Sequence, residues 1–124
     1  MRIVVLPTAD DAAQFVADNF EKLLATKPNA VLGLSAGRTP ELAYQLVCER
    51  HPIVDQAAAV LLDEYVGLSA TDGQSFRHQI QTTFTDPLGL DPSRLYSLDG
   101  LATDPAATCA GFEDSIRALG GIDL

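Results

Sequence analysis

A short polar loop, Ser35-Ala36-Gly37-Arg38-Thr39, combines residue types that bind phosphate. It precedes a helical pattern, and the free N–H groups and positive dipole end of a helix's first turn attract anions. Gly37 allows the backbone to approach a ligand closely. Ser35 and Thr39 offer hydroxyl groups, and Arg38 offers a formal charge. The alternative on these residues alone is an ordinary strand–turn–helix connection with Thr39 as its cap.

Two carboxylates and a phenol follow the next apolar run of the chain. Asp63, Glu64 and Tyr65 come directly after Ala58–Leu62. A carboxylate at the end of a buried strand, beside apolar side chains, has its pKa raised toward the working range of a general base. Asp63 is therefore a candidate for proton transfer. The alternative is a solvated loop that simply begins with acidic residues.

Strands alternate with helices along the chain. Apolar, β-branched runs predict strands at Arg2–Leu6, Ala30–Leu34, Ala57–Leu62 and Arg94–Leu98, and the start of another at Ile122–Leu124. Capping residues and apolar periodicity predict helices from Thr8 or Asp10 to Thr26, from a Thr39 cap onward, from Ser75 to Phe84 with Pro87 and Gly89 ending it, and from an Asp104 cap to Leu119.

This alternation predicts an α/β fold, with three α/β/α layers around a mainly parallel, Rossmann-like sheet. No domain boundary interrupts residues 1–124. In such sheets ligands bind beyond the carboxyl ends of the strands, near the topological switch point. The loops Ser35–Thr39 and Asp63–Gly67 are both predicted to lie there.

The composition argues against several classes of partner. The 124 residues carry 17 acidic and 8 basic side chains and a net charge of -9, which disfavours nucleic acid. No P-loop or G-x-G-x-x-G motif is present, so ATP and dinucleotides are poorly supported. No spacing of His, Cys and carboxylates suits a metal ion. No apolar run approaches the ~20 residues that cross a bilayer.

The two cysteines, Cys48 and Cys109, fall inside apolar helical patterns. We expect both to be buried free thiols, as in a reducing compartment. Met1–Leu6 has neither the apolar core nor the cleavage site of a signal peptide. The predicted location is therefore the cytoplasm.

The two loops together resemble the glucosamine-6-phosphate deaminase/isomerase family. The resemblance lies in Val31–Pro40 (VLGLSAGRTP), Leu62–Leu68 (LDEYVGL), Gln74–Arg77 and Gly120–Leu124, in order along nearly the whole chain. The Asp-Glu-Tyr-Val-Gly-Leu motif is fairly specific. The Gly-x-Thr-Pro loop is shared with 6-phosphogluconolactonase-like relatives and is weaker.

The resemblance implies a reaction. Family members bind an amino-sugar 6-phosphate and open its ring, and an aspartate matching Asp63 moves a proton between C2 and C1. The imine then hydrolyses to fructose 6-phosphate and ammonia, without a metal or redox cofactor. The implied substrate- or phosphate-binding residues are Ser35, Ala36, Gly37, Arg38, Thr39, Glu64 and Tyr65.

The chain departs from the family pattern in two ways. The family loop usually has Thr where Ala36 stands, so one hydroxyl contact is missing, and Ser35 is the candidate substitute. The family also continues beyond the segment matching Ile122–Leu124 with a loop that carries the ring-opening His. We therefore expect residues 1–124 to be the N-terminal part of a single sugar-phosphate isomerase/deaminase domain, incomplete at its C-terminus. We expect this part to self-associate, to pair with the missing half or to belong to a longer chain.

Two other functions stay open at this point. One is a 6-phosphogluconolactonase-like hydrolase, whose corresponding loop usually reads Asp-Glu-Arg, so that Tyr65 argues against it. The other is a non-catalytic sugar-phosphate-sensing module. Bacterial regulators with such modules carry a basic helix-turn-helix, which this sequence lacks.

Overall fold

The computed structural model describes residues 3–124, and helices alternate with strands along them. The elements are α1 (Ala9–Thr26), β1 (Val31–Leu34), α2 (Arg38–Arg50), β2 (Ala58–Leu61), α3 (Phe76–Ile80), α4 (Asp86–Leu88), β3 (Leu95–Tyr96) and α5 (Pro105–Ala118). A π-helical turn at Gln81–Thr85 joins α3 to α4, and a 3₁₀ turn at Pro92–Arg94 precedes β3.

The strands form a parallel sheet in the order β1-β2-β3. On the other side of β1, the Asp123 N–H donates to the Val31 carbonyl (2.9 Å) and the Gly33 N–H donates to the Leu124 carbonyl (2.7 Å). The chain therefore adds β2 and β3 on one side of β1 and residues 122–124 on the other. This reversal of direction is a topological switch point, and it lies at β1.

Helices cover both faces of the sheet. Successive strand residues point to opposite faces, and one face packs against α1, α2 and the π-helical turn, around Phe20 and Phe84. On the other face Phe112 and Ile116 of α5 pack against Val60. The predicted three-layer α/β/α architecture with a parallel sheet is confirmed.

Two helices begin where the sequence predicts. The Thr8 side chain accepts a hydrogen bond from the Asp11 N–H (3.0 Å) at the start of α1. The Asp104 side chain accepts one from the Ala107 N–H (3.0 Å) at the start of α5. Each cap satisfies an N–H group that the first helical turn leaves without a partner.

The predicted Thr39 cap is wrong. Helix α2 begins at Arg38, two residues before the start at Pro40 that a Thr39 cap implies, and its cap position is Gly37, with φ of 109°. A capping Thr needs extended backbone at its own position, whereas the turn at Gly37 places Thr39 already inside the helix. Only glycine adopts this φ without strain.

The predicted strand Arg2–Leu6 is wrong over its described part, since Arg2 lies outside the described residues and Ile3–Leu6 forms no strand. Ile3 and Val5 are largely exposed. Val4 lines a hollow together with Leu124, but residues 122–124 are themselves not in a regular strand. The start of a strand predicted at Ile122–Leu124 is thus limited to the two backbone hydrogen bonds that join this segment to β1.

The helix predicted over Ser75–Phe84 continues past Pro87 to Leu88, and it ends at Gly89, one of the two residues predicted to end it, whose φ is 79°. Proline removes one donor and crowds the preceding helical turn. The π-helical turn, in which the Asp86 N–H bonds the Gln81 carbonyl, accommodates this. The strand predicted at Arg94–Leu98 shortens to β3 because Arg94 is still part of the 3₁₀ turn.

The cysteine prediction is wrong for Cys109, which is exposed, while Cys48 is half-buried; both are free thiols. Cys109 lies on α5, where no residue is fully buried. Within residues 3–124, no helix has both the length and the apolar character needed to cross a membrane.

Candidate functional site

The register of β1 and β2 brings the two candidate loops to one edge of the sheet. Leu34 is level with Leu61, and the Leu62 N–H donates to the Leu34 carbonyl (2.9 Å) just beyond the strands. Ser35 and Asp63 come directly after these bonded residues. Because the strands are parallel, both loops leave the sheet at its carboxyl edge, beside the switch point at β1.

The loop after β1 leaves the first turn of α2 without a side-chain cap. Gly37, Arg38 and Thr39 are exposed, and no side chain caps the helix at Gly37. The N–H groups of Arg38 and Thr39 are therefore free to receive an anion. Pro40 supplies no N–H group, and Glu41 adds an acidic side chain to the same turn. The guanidinium group of Arg38 adds a positive charge that offsets the negative charge of Glu41 in this turn.

A cleft of about 770 Å³ opens beside this loop, between α1 and α2. Ser35 and Ala36, both half-buried, line it together with Arg38 and Thr39. The structure thus gathers four of the five loop residues predicted to bind phosphate around one opening. The Ser35 hydroxyl and the Thr39 hydroxyl are the polar side-chain groups available there besides Arg38.

The sequence analysis missed Tyr44. Its phenol oxygen accepts a hydrogen bond from the Ser35 N–H (3.1 Å) and donates one to the Ser35 carbonyl (3.0 Å). The side chain is buried and its ring stacks on Phe84, with centroids 4.5 Å apart. Burial raises the pKa of Tyr44, against an opposing effect of the hydrogen bonds to Ser35. The sequence signal was a polar-tipped aromatic residue in the apolar pattern of α2.

Glu64 is turned toward the start of α3. Its Oε1 accepts hydrogen bonds from the N–H groups of Tyr65 (2.9 Å) and Phe76 (3.0 Å). Its Oε2 accepts from the Ser75 hydroxyl (2.7 Å) and the Arg77 N–H (3.0 Å). A carboxylate has about four acceptor positions, so the protein itself occupies them. The predicted contact of Glu64 with substrate stays a prediction that this geometry does not favour.

These hydrogen bonds also set the charge of Glu64. Burial alone would raise the pKa of the Glu64 carboxyl, but the bonds from Arg77, Ser75, Tyr65 and Phe76 favour the charged form and leave the pKa below its usual value. The carboxylate lies at the positive end of the helix that begins with α3, where an anion is favoured. Glu64 therefore fastens the loop after β2 to this helix.

Asp63 is exposed at the carboxyl end of β2. The apolar surroundings expected for it at the end of a buried strand are found only in part: Leu61 is buried, but Leu62 is already 74% exposed. Tyr65, half-exposed, packs its ring on Phe76, with centroids 4.5 Å apart. Asp63 thus has solvent access, and its neighbours on the C-terminal side are held in place.

Gly100 is a second residue that the sequence analysis missed. The Gly67 N–H donates to the Gly100 carbonyl (2.7 Å), so the loop after β2 packs on this residue. A Cβ atom at position 100 would collide with the carbonyl oxygens of Tyr65 and Leu68. The close backbone approach therefore requires glycine there.

A groove of about 550 Å³ connects the ends of the strands to α5. Ser35 and Leu62 line it at the sheet edge, opposite Phe112, Ile122 and Leu124. Its lining is mainly apolar, apart from Ser35 and the charged Glu113. Within residues 3–124, no cluster of three or more His, Cys, Asp or Glu side chains has the geometry of a metal site.

The chain is similar to known proteins over nearly its whole length. The family described as glucosamine-6-phosphate isomerases/6-phosphogluconolactonase matches residues 7–124. Glucosamine-6-phosphate deaminase of Arthrobacter sp. (strain FB24) is 40% identical over 128 residues, covering 100% of this chain and 49% of that protein. The protein of the same name from Shewanella woodyi is 36% identical, with 48% of it covered.

The chain is also similar to solved structures. A structure described as a monomeric glucosamine-6-phosphate deaminase superposes with a TM-score of 0.93 at 31% identity, covering 99% of this chain and 53% of that one. The 6-phosphogluconolactonase of Thermotoga maritima superposes with a TM-score of 0.73 at 19% identity, over 94% of this chain and 53% of that one, and shows a shared fold. The chain spans about half the length of the curated relatives it matches.

Proposed function

The chain belongs to the glucosamine-6-phosphate isomerase/6-phosphogluconolactonase family, and we propose that the full-length protein to which it belongs acts as a glucosamine-6-phosphate deaminase. The reaction converts an amino-sugar 6-phosphate and water to fructose 6-phosphate and ammonia. The names and identities of the similar deaminases support this activity. Because the chain spans about half of their length, we propose residues 1–124 as the N-terminal part of a single sugar-phosphate isomerase/deaminase domain.

The observation that carries the proposal is the parallel register of β1 and β2. It supports a substrate that lies across both loops, with its phosphate at Ser35–Thr39 and its C1–C2 end at Asp63. The free N–H groups of Arg38 and Thr39, the Arg38 guanidinium and the hydroxyl groups suit a phosphate dianion. Binding the remote phosphate supplies the positioning that proton transfer needs.

We assign the chemical step to Asp63. In the ring-opened amino aldose, its carboxylate takes the proton from C2, and the C1 carbonyl oxygen gains a proton, which gives an enolamine with a C1=C2 double bond. The carboxyl group then returns the proton to C1 while the C2 amine loses one, so that C1 becomes a hydroxymethyl group and C2–N becomes an imine. Water then adds to the imine carbon, and ammonia leaves. A positioned carboxylate contributes about 10²–10⁴-fold to such a proton transfer. Glu64, through its bonds from Ser75 and Arg77, and Tyr65, through its ring contact, hold the loop that carries Asp63.

The experiment is ammonia release from glucosamine 6-phosphate by the full-length wild-type protein, which includes residues 1–124, and by its Asp63→Asn variant. We expect kcat to fall about 10²–10⁴-fold in Asp63→Asn, with the thermal transition little changed. Asp55→Asn is the matched control, since Asp55 is an exposed aspartate before β2. It should leave kcat unchanged.

The same assay separates the alternatives. Hydrolysis of 6-phosphogluconolactone without ammonia release from the amino sugar would assign the lactonase activity instead. Binding of glucosamine 6-phosphate without turnover, equally tight in wild type and Asp63→Asn, would favour a sensing role. The free thiols fit a reducing compartment, and we propose the cytoplasm as the location.

A further inference from the structure

We propose that Tyr44 is a positioning residue for phosphate binding, because its phenol holds the loop Ser35–Thr39 in the shape that receives the anion. The proposal rests on the proposed function, which places the phosphate at this loop. Tyr44 itself is not placed in contact with substrate. It acts through Ser35.

The phenol of Tyr44 forms hydrogen bonds with both backbone groups of Ser35. It donates to the carbonyl (3.0 Å) and accepts from the N–H (3.1 Å). Two hydrogen bonds to one residue fix both the position and the orientation of its peptide groups. Ser35 is the first residue of the loop after β1, so the orientation of the loop as it leaves the sheet depends on Tyr44.

The position of the phenol is set by the packing of the Tyr44 ring. Tyr44 is 6% exposed. One side of its ring stacks on Phe84 at an interplanar angle of 27°, and Phe20 meets it edge-on with centroids 6.4 Å apart. Protein interiors are closely packed, so few other rotamers of the Tyr44 side chain fit there. The hydroxyl therefore stays at one place relative to the sheet and the helices.

Tyr44 also connects the two ends of the loop. It lies on α2, the helix whose first-turn N–H groups, at Arg38 and Thr39, face the proposed phosphate. Along the chain, Ser35 and the helix are joined through Ala36 and Gly37, and glycine is the most conformationally permissive residue. The Tyr44–Ser35 hydrogen bonds join α2 directly to Ser35 and so restrict the movement of Ala36 and Gly37 between them. The loop is therefore preorganised before ligand arrives, which lowers the entropic cost of binding.

The test compares wild type with Tyr44→Phe, which removes one oxygen and keeps the ring in its packing. We expect KM for glucosamine 6-phosphate to rise about five- to tenfold, the effect of losing hydrogen bonds that support binding. The inhibition constant of inorganic phosphate should rise by the same factor. We expect kcat to change less than twofold, because the contact at the phosphate is equal in ground and transition states.

Two control variants separate positioning from stability. Val54→Ala removes a buried side chain from the same core at the edge of the sheet opposite the two loops, and Tyr96→Phe makes the identical chemical change at a half-buried tyrosine on the other face of the sheet. Both controls should keep the KM of wild type. If Val54→Ala raises KM as much as Tyr44→Phe at equal loss of stability, the role of Tyr44 is merely structural. A KM and a phosphate inhibition constant unchanged in Tyr44→Phe would also overturn the proposal.

A second measurement does not depend on turnover. Titration with inorganic phosphate, followed through the amide NMR signals of Arg38 and Thr39, gives a dissociation constant for each variant. If wild type binds phosphate and Tyr44→Phe binds it five- to tenfold more weakly, the positioning role holds even where ammonia release fails. If wild type shows neither turnover nor phosphate binding at these amides, the proposed function and this inference both fall.

Discussion

The Glu64 carboxylate and the hydroxyl of Ser75 form a 2.7 Å hydrogen bond that ties the residue after Asp63 to the start of α3. Ser75 has no exposed surface. It caps this helix by accepting from the His78 N–H while it donates to Glu64. The loop that carries the proposed proton-transfer base is thus fastened by a buried hydroxyl group and a charged acceptor.

Replacing Glu64 by alanine should lower both stability and activity. The variant leaves the buried Ser75 hydroxyl and three N–H groups without their acceptor, at a cost of about 2–3 kcal/mol in the free energy of unfolding. Because Asp63 is the preceding residue, kcat should fall by more than KM rises. Urea unfolding and ammonia release measure the two effects. Glu49→Ala removes an exposed carboxylate that accepts one hydrogen bond from Gln45, and it should cost less than about 0.5 kcal/mol.

The stabilisation by Glu64 should depend on pH. Its pKa is lower in the folded protein than in the unfolded chain, so the contribution is full above the unfolded value of about 4.3 and is lost as pH falls through the folded value. The difference in unfolding free energy between wild type and Glu64→Gln should be constant from pH 7 to about 5 and shrink at lower pH. Subtracting the two curves removes the similar contributions of Asp91 and Asp123, whose pKa values are also lowered. A difference that grows on acidification would contradict the assignment.

Substitution of Gly100 should displace the loop after β2. A Cβ atom there would collide with the backbone of Tyr65 and Leu68, and such overpacking costs about 1–3 kcal/mol. Gly100→Ala should therefore be less stable in urea unfolding and slower in ammonia release. Gly73→Ala is the matched control, since nothing lies within 4 Å of a Cβ atom at Gly73. Equal effects of the two substitutions would show that the contact at Gly100 does not shape the loop.

What could be predicted from the sequence was local or periodic. The caps at Thr8 and Asp104 depend on atoms within three residues, and the parallel sheet follows from the alternation of apolar runs with helical patterns. The role of Glu64 could not be predicted, because its partners lie 11 to 13 residues away and meet it only in the folded chain. Tyr44 resembled an ordinary core residue until its contact with Ser35, nine positions earlier, was known.

The errors have the same cause. Thr39 satisfied the pattern of a cap, but the positive φ at Gly37 starts the helix two residues sooner. Asp63 follows an apolar run, which indicated apolar surroundings, yet its exposure depends on what lies beyond the edge of the sheet. Sequence patterns report neighbours along the chain, whereas these outcomes depend on groups brought together by tertiary structure.

Asp123 should control whether residues 122–124 stay on the sheet at the switch point. Its carboxylate accepts two bonds from the Lys27 ammonium group (2.7 and 2.8 Å) and one from the Val31 N–H (2.9 Å). In Asp123→Ala the segment loses these contacts, so the Gly33 N–H, which bonds the Leu124 carbonyl, should exchange with solvent about tenfold faster. Hydrogen exchange followed by NMR measures this directly.

The Leu62 N–H, which bonds Leu34 on the opposite side of β1, is the internal control and should keep its exchange rate. If the exchange rates of both amides rise equally, the substitution has destabilised the whole sheet. Asp123 would then have no specific role in keeping residues 122–124 bonded to β1.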